Sequence, residues 1–123
     1  MVRIDQISDT ELSILQFLWD HGEATSREIT VAIYGEMTEA KMSSVQKLIE
    51  RMEAKGCVER DRSERAHRFR ALASRDQFLR SRLQALADRV CDGTLIPLVT
   101  TLVQSKGFSK KEREELRRLL GDL

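Results

Sequence analysis

At 123 residues, with 41% hydrophobic and 33% charged side chains, the chain has a globular composition and room for one compact fold plus an extension. Two widely spaced cysteines, Cys57 and Cys91, exclude a disulfide scaffold and a zinc cluster, and suit a reducing cytoplasm. No stretch approaches the ~20 apolar residues of a membrane span and the start lacks an apolar signal core, so a soluble, unprocessed cytoplasmic protein is expected; the formal net charge of +1 excludes no partner until it is divided along the chain.

Helix starts are marked by capping boxes, in which Ser or Thr and a Glu or Gln three residues later satisfy each other's amides. Four occur: Ser8 with Glu11, Thr25 with Glu28, Ser74 with Gln77, and Ser109 with Glu112. The first helix is predicted over Asp9 to His21, with Leu12, Leu15, Leu18 and Trp19 on one face and Gly22 as its stop. The cluster of Phe17, Leu18 and Trp19 reads as core rather than a ligand pocket. A shorter helix follows Thr25, burying Ile29, Ala32 and Ile33 and ending at Tyr34 or Gly35. A third spans Met42 to Lys55, since Met42, Val45, Leu48, Ile49 and Met52 share a stripe, and Gly56 stops it.

Past Gly56 the helical period is lost. Cys57 to Asp61 and Ala66 to Leu72 read as a β-hairpin, with His67, Phe69 and Ala71 on one side of the second strand and Ala66, Arg68 and Arg70 on the other. From Ser74 the chain returns to helix, with a stripe of Phe78, Leu79, Leu83, Leu86 and Val90 broken near Asp92 and Gly93. Next come Leu95, Ile96, Leu98, Val99, Leu102 and Val103 around Pro97, which fits an early helical position, where a missing N–H is harmless. The last helix follows Ser109 and carries Leu116, Leu119, Leu120 and Leu123. Such an arm either packs back on the first domain or finds a partner, and a symmetric homodimer is the commonest solution. The expected fold is therefore mainly α with a small β-hairpin: a winged helix-turn-helix over residues 1–73 and a helical dimerisation arm over 74–123.

Charge supports a nucleic-acid partner. Residues 1–40 hold two basic side chains, Arg3 and Arg27, against eight acidic ones, whereas residues 41–73 hold nine basic against five acidic. Five arginines, Arg60, Arg62, Arg65, Arg68 and Arg70, fall within eleven positions of the hairpin and are expected as phosphate ligands, with salt bridges to the interspersed Asp61 and Glu64 as the plainer alternative. On the third helix, Ser43 and Lys47 lie opposite the apolar stripe, flanked by Ser44, Gln46, Glu50 and Arg51; hydroxyl, amide and cationic groups are the types that read base edges. With only His21 and His67 and no nucleophile, metal or phosphate-loop motif, neither an enzyme nor a cofactor or metal is expected. His67 reads as a packed or surface residue, Cys57 as a packed strand residue, and Cys91 as more exposed.

The segments IDQISDTELSILQFLW (4–19), AKGCVERDRSERAHRF (54–69) and DGTLIPLV (92–99) resemble, in order, the first helix, wing and dimer region of the penicillinase and methicillin-resistance repressors of the BlaI/MecI type. Arg65 falls on the wing arginine of that family. The resemblance implies a dimeric winged-helix repressor of palindromic operators, inactivated by proteolysis downstream of a membrane-bound metalloprotease sensor. Thr101-Leu102 falls on the Asn-Phe bond that the pathway cuts. Lys41, Met42, Ser43 and Ser44 replace the family's common Ser-Pro-Lys-Thr, Lys47 replaces a later Thr, and Glu64 stands where a turn glycine is usual. The paired C-terminal cysteines of the copper-responsive branch are absent after Cys91, which leaves copper sensing unsupported. Two other readings are a winged-helix regulator released by a small-molecule effector and a module that contacts a partner protein.

Overall fold

All four capping boxes form in the computed structural model, which describes residues 7–105 and 107–121. At Ser8, for example, the Glu11 N–H donates to the serine Oγ (3.3 Å) while the Ser8 N–H donates to Glu11 Oε1 (3.2 Å), and the boxes at Thr25, Ser74 and Ser109 repeat the exchange. The elements in order are α1 (Asp9–His21), β1 (Ala24–Thr25), α2 (Ser26–Tyr34), α3 (Glu39–Ala54), β2 (Val58–Asp61), β3 (Arg68–Ala71), α4 (Arg75–Val90), α5 (Ile96–Gln104) and α6 (Lys110–Gly121). Three helices followed by a two-stranded wing make a winged helix-turn-helix, and further helices follow it. The expected Leu123 and the start of the first resembling segment lie outside the described residues. No helix among those described is long and apolar enough to cross a membrane.

The chain divides into two compact units, Met1–Arg82 and Leu83–Leu123. In the first, Ile14, Leu15 and Leu18 of α1 meet Ile29 of α2, Val45, Ile49 and Met52 of α3, and Phe69 of β3 in one buried core. The buried face of α1 is therefore rotated from the expected one: Ile14 and Glu11 are inside, whereas Leu12 and Trp19 lie half-buried at its edge. Trp19 stays at the edge because its indole N–H donates to the Ala73 carbonyl (2.8 Å), and such a donor needs a partner wherever the ring is covered. On α2, Thr30 is buried in place of Ala32, which is exposed, and Ile33 is half-buried. The Thr30 hydroxyl donates to the Ser26 carbonyl (2.7 Å), so its burial leaves no polar atom unpaired.

The helix α3 begins three residues before the expected Met42. Thr38 caps it by accepting the Lys41 N–H (3.2 Å), without the Glu or Gln that would make a capping box visible in the sequence. The hairpin pairs Val58 with Ala71, Glu59 with Arg70, Arg60 with Phe69 and Asp61 with Arg68. Unforeseen, β1 pairs along the other side of β3, giving the order β1-β3-β2 and placing Phe69 in the central strand. Glu64 does not need a left-handed backbone. Asp61 Oδ1 accepts the Ser63 N–H (2.9 Å) and begins the turn, and among the described non-glycine residues only Asp92 has positive φ (52°).

The first unit extends into α4. Phe78 packs against Trp19 with ring centroids 5.7 Å apart, Arg75 pairs with Asp20 (2.9 Å), and Arg82 Nη2 donates to the Ile7 carbonyl (2.8 Å). In the second unit α4 ends where the Ala87 carbonyl accepts the N–H groups of Cys91 (2.8 Å) and Gly93 (3.0 Å), with Gly93 at φ 84°. Pro97 occupies the first turn of α5, as its residue type requires.

Candidate nucleic-acid interface

Burial of Val45, Ile49 and Met52 turns the opposite side of α3 outward, and that side carries Ser43, Ser44, Gln46, Lys47, Glu50 and Arg51, all exposed. Ser44 bonds back to the Ala40 carbonyl (3.1 Å). Among the described residues neither Lys47 nor Arg51 has a carboxylate partner, so their charge is available to an outside group.

Beside this face lies a groove of about 420 Å³, lined by Met42 and Gln46 of α3, by Thr25, Ser26 and Arg27 at the start of α2, and by Arg60, Arg65, Ala66 and His67 of the hairpin. The contribution of α2 was not anticipated. Its signal was present in the capping box that fixes the helix start at Thr25, two residues before the lone described cation of the acidic N-terminal third, Arg27. The positive end of the α2 dipole and three guanidinium groups, those of Arg27, Arg60 and Arg65, thus share one concave surface with the amide of Gln46.

The five hairpin arginines divide into kinds. Arg62 and Arg65 have no carboxylate partner among the described residues, and both are exposed. Arg70 pairs with Glu59 across the strands, and Arg68 lies 3.5 Å from Glu64 and 3.8 Å from Glu28. Pairs as exposed as these contribute little to stability and exchange readily for another anion. Arg60 differs: its Nε and Nη2 donate to Glu53 Oε1 (3.1 and 2.7 Å), and its guanidinium lies 4.7 Å from the Phe69 ring centroid.

Two carboxylates near Arg68 lie below their ordinary range. Glu28 is held below the usual carboxylate range, first by the backbone N–H of Thr25, which outweighs the opposing effect of burial, and then by the Thr25 hydroxyl and the charges of Arg68 and His21. Asp61 is lowered mainly by the backbone of Ser63. Cys57 is buried and its thiol is pushed up by that burial, the opposite of a reactive thiolate, while Cys91 is half-exposed. Among the described residues no cluster of three or more His, Cys, Asp or Glu is placed to hold a metal.

In the second unit most of the apolar arm is uncovered. Leu83, Leu86, Val90, Leu95, Leu102, Val103, Leu119 and Leu120 are exposed, Val90 by 68%, whereas Leu98, Val99 and Leu116 are half-buried and Ala87 is the buried residue of α4. Val103, Leu116 and Leu120 line a shallow hollow shared by α5 and α6. Thr101 and Leu102 sit mid-helix in α5, with the Thr101 hydroxyl donating to the Pro97 carbonyl (2.8 Å).

Comparison with known proteins agrees in extent. The family model described as penicillinase repressor matches residues 7–122. The chain is similar to the penicillinase repressor of Bacillus licheniformis, at 22% identity over 98% of this chain and 93% of that protein. It is also similar to the penicillinase repressor of Staphylococcus aureus, at 24% identity over 96% of this chain and 93% of that protein.

Proposed function

The chain belongs to the penicillinase repressor family, and on that premise we propose that it is a transcriptional repressor that occupies palindromic operator DNA as a homodimer. The observation that carries this reading is the juxtaposition of an uncommitted polar helix face, Ser43, Gln46, Lys47 and Arg51, with the basic groove of Arg27 and Arg65. In the major groove α3 would bring its N-terminal half to base edges. Arg62 and Arg65 would then hold phosphates, joined by Arg68 and Arg70 once phosphate replaces Glu64, Glu28 and Glu59.

Residues 1–73 carry DNA recognition in this reading and residues 74–123 pair the protomers, because the arm exposes apolar side chains that a second copy would cover. Pairing makes the second half-site contact intramolecular, which raises operator affinity without any new contact. Cleavage of the Thr101–Leu102 bond by a membrane metalloprotease pathway would undo that pairing and release the DNA. No cofactor enters, and the protein acts in the cytoplasm. The test is a mobility-shift titration with duplex from the upstream region of its own coding sequence. A shift that survives excess scrambled duplex is expected, and binding that the scrambled duplex removes equally well would reject the reading.

A further inference from the structure

The hairpin register decides which arginines can reach DNA. Successive strand residues face opposite sides, and Arg60 is directly across from Phe69, whose ring is buried in the core. Arg60 therefore projects from the inner face of the sheet, while Glu59, Asp61, Arg68 and Arg70 project from the outer one. On that inner face its guanidinium meets three groups. The Glu53 carboxylate in the last turn of α3 accepts two of its N–H bonds, His67 Nδ1 lies 3.2 Å from Nη1, and the Phe69 ring lies beneath it. The Arg60 and Glu53 side chains are only 20% and 25% exposed. A guanidinium can only donate, so the His67 contact requires an unprotonated Nδ1 and places the proton of the neutral ring on Nε2.

We propose that Arg60 is a positioning residue, which fixes the wing to the end of the recognition helix through Glu53 and His67, and is not a phosphate ligand. This rests on the DNA-binding reading above. Its consequence is that base contacts from α3 and phosphate contacts from Arg62 and Arg65 are presented in one fixed geometry, so DNA need not order the wing on binding. A planar fork suits that task, because one rigid group satisfies the carboxylate and the imidazole at once; a lysine ammonium would not.

Glu53→Gln gives the sharpest test, because it removes a negative charge beside the groove. Were Arg60 a phosphate ligand restrained by Glu53, the change would leave duplex affinity equal or higher. The strut requires it to fall, roughly tenfold, with the dependence of log Kobs on log salt unchanged. The charge-reversed pair, Glu53→Arg with Arg60→Glu, should recover most of the loss. A phosphate ligand would instead leave the reversed pair weak and its salt slope shallower by about 0.9 per protomer. Amide hydrogen exchange of the DNA-free full chain reads the strut without DNA: residues 58–61 and 68–71 should exchange several-fold faster in Glu53→Gln. Unchanged exchange, or unchanged or increased affinity, would overturn the proposal. A wild-type chain that binds no duplex would overturn the DNA-binding reading while the exchange result still judged the strut.

Discussion

Lys55 Nζ, just past the end of α3, donates to both carboxylate oxygens of Glu11 at 2.9 and 3.0 Å, and Glu11 is only 3% exposed. The pair ties the first turn of α1 to the end of α3. Burial would raise the Glu11 pKa, but hydrogen bonds from Lys55 and Ser8 outweigh it and the carboxyl lies below its ordinary value.

A lowered folded-state pKa gives stability that is present above the unfolded value, about 4.3, and lost as pH falls through the folded one. Thermal unfolding followed from pH 7 to pH 2.5 should therefore show a drop below about pH 4.3 that is smaller in Glu11→Gln than in the wild type. At pH 7, Lys55→Met should cost about 3 kcal/mol, since it leaves a buried carboxylate without its cation. A loss under 0.5 kcal/mol, the level of an exposed pair, would show that the bridge contributes nothing.

Base reading and phosphate holding separate in their salt dependence. Lys47→Ala should reduce the ratio of operator to scrambled-duplex affinity by about 1 to 3 kcal/mol, because it removes a contact to a base edge. Arg65→Ala should weaken both duplexes alike and make the salt slope shallower by about 0.9 per protomer. Fluorescence anisotropy at four salt concentrations measures both quantities. An unchanged ratio in Lys47→Ala would move the reading head elsewhere on α3.

Truncation should be sensitive to where α4 is cut. A chain ending at Arg82 keeps the Trp19–Phe78 packing, the Arg75–Asp20 pair and the Arg82 bond to Ile7, and should fold as a monomer. A chain ending at Ala73 loses all three and should melt several degrees lower, as about 1 kcal/mol moves the midpoint of a small domain by roughly 4–8 °C. Equal melting temperatures would show that the first turns of α4 do not support the first unit.

Most of the helix order was legible because the information is local. A capping box needs only four residues, and Gly22, Gly35 and Gly56 each close a helix whose stripe is already periodic. What escaped depends on pairs distant in sequence. Nothing near Glu11 announces Lys55, forty-four positions away. A two-residue strand such as Ala24–Thr25 has no periodicity to detect, yet it makes Phe69 central. The hairpin arginines looked equivalent in the sequence; the register, together with Glu53 on another element, sets Arg60 apart.

Cleavage in α5 should act through assembly. Proteases take extended substrate, whereas Thr101 and Leu102 are helical, so cutting requires α5 to open locally first. A foreign protease site placed across residues 100–103 should leave the free chain dimeric until cut. After cutting, operator affinity should fall by roughly 10²-fold or more while affinity for an isolated half-site stays the same. Undiminished operator affinity after complete cleavage would remove the arm from the switch.

Whether two copies read one operator is tested most directly by stoichiometric titration of the full chain into the duplex protected in its own upstream region. Two chains per duplex are expected, with protection over two half-sites centred about one helical turn, 10 base pairs, or a multiple of it apart. Saturation at one chain per duplex, or protection that shifts with neither sequence nor half-site spacing, would contradict the reading of one operator by two copies.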